Sequence, residues 1–107
     1  RNVSDIRFKK DLSVIDDALD VLDGLRGYRF KWNEEVENVD YTTHYDGEED
    51  LGVVAQEVKA VLPEAIGVRS DGSLAVDYIK LIPVLLQATK QLKARVDELE
   101  AKYGDKT

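Results

Sequence analysis

The chain has no cysteine, which excludes a disulfide framework, a thiolate nucleophile and a thiolate metal site. Its single histidine, His44, has no partner at a recognisable spacing, so the commonest general base and metal ligand is nearly missing too. No apolar run approaches the ~20 residues of a membrane span, and the charged start does not read as a secretory signal. Positive charge is in deficit: 15 Lys and Arg face 22 Asp and Glu, for a net charge of −7. An acidic body of this size is poorly matched to a phosphate backbone, so neither nucleic acid nor membrane is an expected partner. Nothing in the sequence calls for a metal or a cofactor.

The 107 residues are 43% hydrophobic and 35% charged, enough for one domain with a modest core that association would help to stabilise. They divide into a polar start (1–12), a globular part (13–77) and a long final element (78–103). In the start, Ile6 and Phe8 alternate with Arg7 and Lys9, which predicts a short extended piece. Ser4-Asp5 has the composition of a turn or cap.

Ser13 is a good N-cap, with Asp16 as a short capping-box acid, and predicts a helix striped by Ile15, Leu19 and Leu22 and stopped by Gly24 and Gly27. Asp16, Asp17, Asp20 and Asp23 read as its solvated face. Tyr28-Arg29-Phe30-Lys31-Trp32 alternates strictly and predicts a strand with its aromatic face in the core. Asn33 to Asp50 is an acidic excursion, with a hairpin suggested by Tyr41, Tyr45 and Asp46-Gly47. Leu51 to Ala55 reads as a buried strand, Gln56 to Leu62 as a short helix stopped near Pro63. Ala65 to Arg69 and Ser73 to Asp77 form a hairpin around Ser70-Asp71-Gly72.

The last element starts at Tyr78 or Ile79, with Asp77 as N-cap and Pro83 tolerated in its first turns. Leu81, Leu85, Ala88, Leu92, Val96, Leu99 and Tyr103 follow in steps of four and three, heptad-like with one extra four-residue step. The stripe outlasts any core a chain of this size can build, which predicts an oligomerisation helix with Leu85, Ala88, Leu92, Val96 and Leu99 in its seam. The side chains alone leave dimer and trimer open. The fold class expected is α+β: a small antiparallel sheet, short helices and a long C-terminal coiled-coil helix.

The chemistry falls to the first segment. Serine becomes a nucleophile only when a base takes its proton. Lysine can be that base if desolvation or a nearby cation favours its neutral form. Lys9 has Arg7 and Lys10 beside it. In an extended chain Ser4 and Lys9 would lie up to about 17 Å apart, so they meet only if the chain turns between them or across subunits.

Ser4-Asp5-Ile6-Arg7-Phe8-Lys9-Lys10-Asp11-Leu12 resembles the opening motif S-D-x-R-x-K-x-D-I/L of the intramolecular chaperone auto-processing domains, peptidase family S74, found at the C-terminus of phage tailspike, tail-fibre and neck-appendage proteins. The resemblance runs on through Ala18 to Leu22 with Tyr28 to Trp32, then Leu51-Gly52-Val53-Val54-Ala55-Gln56-Glu57-Val58 with Leu62-Pro63-Glu64, then Val76-Asp77-Tyr78 and the leucine-rich helix. Only Asn33 to Asp50 has no counterpart.

The resemblance implies a homotrimer that templates folding of an upstream β-rich fibre or spike of the same polypeptide. It then implies release by a single-turnover Ser-Lys autoproteolysis, with Ser4 as nucleophile and Lys9 as general base. Asp5 and Arg7 would orient the motif. The scissile bond would adjoin Ser4, with Val3–Ser4 favoured because an acyl shift onto the hydroxyl breaks the bond on its N-terminal side. Arg1-Asn2-Val3 precede Ser4, so the chain is not a product trimmed there. Assembly in the host cytoplasm and loss of the domain from the mature virion fibre would follow. The rivals are a non-cleaving trimerisation or fibre-tip module, in which Ser4 only caps a turn, and a DNA-binding or partner-recruiting domain, which the acidity opposes.

Overall fold

A computed structural model describes residues 3–33 and 49–104; the expected hairpin around Tyr41, Tyr45 and Asp46-Gly47, and His44 with it, lies outside the described residues. The class is α+β. In place of one small sheet there are two antiparallel pairs of strands, with helices and one-turn 3-10 segments between them.

The core lies where helix α1 (Ala18–Asp23) crosses the first half of the long helix α3 (Leu81–Leu99). Ala18, Val21, Val84 and Ala88 are buried at the crossing, and Ile15, Leu19, Leu22 and Leu25 pack around them with Val61 and Leu62 from helix α2 (Ala55–Val61) and its end. Small side chains at the contact let the two helix axes approach closely.

Helix α1 begins four residues later than a Ser13 cap predicts, at Ala18 rather than Val14. The reason is tertiary. The Gln91 carboxamide accepts a hydrogen bond from the Leu19 amide (3.1 Å) and donates one to the Asp16 carbonyl (3.1 Å). Asp17, at the N-cap, makes no side-chain capping bond, so a side chain from α3 satisfies a free donor that a local cap would otherwise take. Gln91→Ala removes both bonds and should lower stability by about 1–2 kcal/mol in urea unfolding. Unchanged stability would mean that water replaces the carboxamide at no cost.

Strand β1 (Tyr28–Phe30) pairs with β2 (Asp50–Gly52), matching Tyr28 to Gly52, Arg29 to Leu51 and Phe30 to Asp50. Both strands are shorter than expected. Arg29 and Leu51 share the outward face, and Leu51 is 66% exposed, so the predicted buried strand is a half-covered one. Tyr28 and Phe30 are half-buried, whereas Trp32 lies past the strand end and is 42% exposed, edge-on to Phe30. The Tyr28 hydroxyl donates to Glu57 Oε2 (2.7 Å), tying β1 to the first turn of α2.

Gly52 sits where a side chain cannot. A Cβ there would stand 2.8 Å from the Tyr78 hydroxyl and 3.1 Å from the Phe30 ring, while that hydroxyl accepts from the Val53 amide (3.2 Å). Gly52→Ala should cost roughly 1–3 kcal/mol by overpacking. In a double-mutant cycle measured by thermal melts, Tyr78→Phe should recover part of that loss. Strictly additive effects would show that the contact is relieved elsewhere.

Strands β3 (Ile66–Val68) and β4 (Leu74–Val76) form the expected hairpin. At its tip Gly72 takes φ of 85°, and Asp71 Oδ1 accepts from the Ser73 amide and hydroxyl. Those bonds hold the Asp71 carboxyl below its ordinary value. Asp77 caps the last element by accepting from the Ile79 amide (3.2 Å), as expected. A 3-10 turn at Tyr78–Lys80 leads into α3, and a π-turn at Glu100–Gly104 closes it. One expected seam residue is placed differently: Ala88 is buried in the chain's own core against α1. Leu85, Leu92, Val96 and Leu99 are exposed in the single chain.

Candidate functional site at Ser4 and Lys9

The first segment is not extended. Residues Ile6–Phe8 form one turn of 3-10 helix, closed by the Asp5 side chain, which accepts from the Arg7 amide (2.9 Å), and by the Lys9 amide bonding back to the Ile6 carbonyl (3.0 Å). Asp5 is therefore the cap; Ser4 is not. An aspartate two residues before the bonded amide is a natural turn-former, and this local bond overrides the weak alternation of Ile6 and Phe8.

The Arg7 guanidinium folds back onto the same carboxylate. Its Nε donates to Oδ1 (3.1 Å) and Oδ2 (3.2 Å), and Nη2 donates to Oδ2 (2.8 Å). This two-pronged fit suits the planar guanidinium and would be lost with lysine. It holds the Asp5 carboxyl below its ordinary value, chiefly through the Arg7 side chain and then through the Arg7 amide. The sign follows: a depressed carboxyl pKa stabilises the turn above the unfolded value, and that contribution is lost as pH falls through the folded one. By NMR, Asp5 should titrate below an ordinary aspartate, and Arg7→Ala should move its midpoint upward. A midpoint unmoved by Arg7→Ala would show that the pair does not persist in solution.

The turn reverses the chain and brings Lys9 back to Ser4. Lys9 Nζ donates to Ser4 Oγ at 2.7 Å, which is within proton-transfer reach. Asp5 and Arg7 thus have a concrete place: they hold the turn across which the two meet. Val3, Ser4 and Lys9 are all exposed in the single chain. Asp11 adds a bend that sequence reasoning did not assign. Its φ of 54° is left-handed, a region that aspartate tolerates better than most residues. The signal was present in the motif, since a lone aspartate between Lys10 and an apolar residue fits such a bend.

Comparison with known proteins places the same segment at the start of a match. The family model Peptidase S74, chaperone of endosialidase, matches residues 4–67. The long tail fiber protein Gp37 of Enterobacteria phage K3 is 36% identical over 103 residues, which is 92% of this chain and 8% of that protein. The Salmonella phage S16 long tail fiber protein Gp37 is 31% identical over 96 residues, 90% of this chain and 12% of that protein. Myelin gene regulatory factor-like A of Dictyostelium discoideum is 28% identical over 110 residues, 92% of this chain and 12% of that protein. The chain thus spans about a tenth of the length of these relatives.

Proposed function

Because this chain belongs to the peptidase S74 family of endosialidase chaperones, we propose that it is an intramolecular chaperone for an upstream phage fibre, which it leaves by cutting itself off at Val3–Ser4. The observation that carries the reading is the 2.7 Å approach of Lys9 Nζ to Ser4 Oγ across a turn clamped by Asp5 and Arg7.

The chemistry proceeds in two steps. A neutral Lys9 amine takes the Ser4 hydroxyl proton as Oγ attacks the Val3 carbonyl carbon. The tetrahedral intermediate collapses with loss of the Ser4 nitrogen, which receives the proton back from Lys9, and leaves Val3 as an ester on Oγ. Water then hydrolyses the ester, giving one chain that ends at Val3 and one that begins at Ser4. A serine–lysine hydrogen bond with the proton on the amine is the resting arrangement; the attack needs the same contact with the proton on oxygen. Lys9 is exposed in a single chain, and a lysine acts as a base only where desolvation or a nearby cation favours its neutral form, so the site works once something removes it from water. Self-association through α3 supplies that condition, and the trimer is the assembly that the reading requires.

The test is a fusion of this chain to an upstream fibre segment, followed by intact mass. Two fragments divided between Val3 and Ser4 are expected, together with three times the chain's mass in sedimentation. A trimer that never cuts would instead make the chain a fibre-tip interaction module.

A further inference from the structure

Two features of the single chain are complementary and do not meet. One is a cavity of about 390 Å³ between the segment before α1, the end of α2 and the start of α3. Its floor is apolar, with Val21, Val61, Leu62 and Val84, and Asp16, Asp17 and Glu64 stand around it with a single cation, Lys80. The Lys80 ammonium donates to the Glu64 carbonyl (3.0 Å), and three carboxylates against this one cation leave the rim with an excess of negative charge.

The other feature is the reactive turn. Phe8 is 76% exposed and Ile6 69%, an unusual cost for two large apolar side chains on a turn. The segment 1–12 carries Arg1, Arg7, Lys9 and Lys10 against Asp5 and Asp11, or +2, in a chain of −7, so the remaining residues carry −9. Arg7 is taken by Asp5 and Lys9 by Ser4. Lys10 forms no ion pair with any described residue. Within one chain the turn is held only by its own bonds, and Phe8 stays outside the cavity.

We propose that the cavity is the docking site for the reactive turn of a second copy of this chain, with Phe8 on the apolar floor and Lys10 facing Asp16, Asp17 and Glu64. An aromatic flanked by cations is the chemistry that an apolar floor with a carboxylate rim would recognise. The inference rests on the self-association proposed above and adds its surface: each copy covers the Ser4–Lys9 pair of its neighbour, so the pair is withdrawn from water only in the assembly.

The absence of cysteine makes the test direct. Chains carrying Phe8→Cys and chains carrying Glu64→Cys, with different affinity tags, are unfolded together, refolded and mildly oxidised. A disulfide joining one tag to the other is expected, and the link should disappear when Lys10→Glu is added to the Phe8→Cys chain. Independently, Phe8→Ser should weaken association of the otherwise unaltered chain roughly tenfold in sedimentation. An intact trimer with no cross-link between the two tags overturns the docking while leaving the self-association standing. Monomers at all concentrations overturn both. An intact trimer whose affinity is unmoved by Phe8→Ser also excludes this surface.

Discussion

Ser4→Ala, in a fusion of this chain to an upstream fibre segment, should leave a single uncut polypeptide. The substitution removes the hydroxyl that the proposed attack on the Val3 carbonyl requires, and the chain has no cysteine to take its place. Lys9→Ala should also abolish cutting over the time of an expression experiment, since loss of a general base costs about 10²–10⁴ in rate. The sharper variant is Lys9→Arg. Arginine can still donate to Ser4 Oγ and keep the turn's charge, but it does not give up its proton in proteins. A structural lysine would tolerate that change, whereas a base would not. The expected outcome, read by intact mass, is no cleavage in any of the three and trimers in all of them. Cleavage of Lys9→Arg at the wild-type rate would remove Lys9 from the reaction. Cleavage of Ser4→Ala at the same bond would remove the mechanism altogether.

What could be read from the sequence follows the range over which each signal acts. The Asp-Gly tip at Gly72, the Asp77 cap and the stop at Pro63 are local, and each is found at its expected place. The start of α1 is not local: it is fixed by Gln91, more than seventy residues away, whose |i−j| separation from Leu19 is 72. A strong Ser13 cap therefore lost to a tertiary bond. Leu51 misled for a related reason. Alternation identifies a strand, but whether both faces are covered depends on layers that the strand itself does not encode. At the site, the motif singled out Ser4 and Lys9, which the turn brings to 2.7 Å, while the alternation of Ile6 and Phe8 pointed to an extended chain that would have kept them apart. The decisive contact was the Asp5 carboxylate on the Arg7 amide, a turn-former hidden behind an apparent strand pattern. Ala88 shows the limit of stripe reasoning: seven-residue spacing does not say whether a position faces the chain's own core or another copy.

Leu92→Asp should convert an associated chain to a monomer, while its folded core survives. The asymmetry comes from how α3 is used. Up to Gln91 the helix is tied to α1 by Val84, Ala88 and the Gln91 carboxamide. Beyond it every residue to Gly104 is exposed, including Leu92 at 52%, Val96, Leu99 and Tyr103. A projecting helix of about a dozen residues is marginal by itself in water. The Lys93–Asp97 pair (2.7 Å) adds little, being exposed and in the weaker order for a helix. In the proposed assembly the projecting half gains most of its stability from covering the apolar stripe against other copies. A carboxylate at position 92 must be desolvated in that seam at a cost of several kcal/mol for each copy, against one half-exposed leucine lost in the single chain. Sedimentation should show a monomer, circular dichroism a partial loss of helix from the C-terminal half, and an upstream fusion little or no cleavage. Gln91→Ala should behave in the opposite way, lowering core stability with the seam intact. If Leu92→Asp leaves both mass and cutting unchanged, the stripe does not hold the copies together, and the condition that withdraws Lys9 from water must come from the upstream fibre itself.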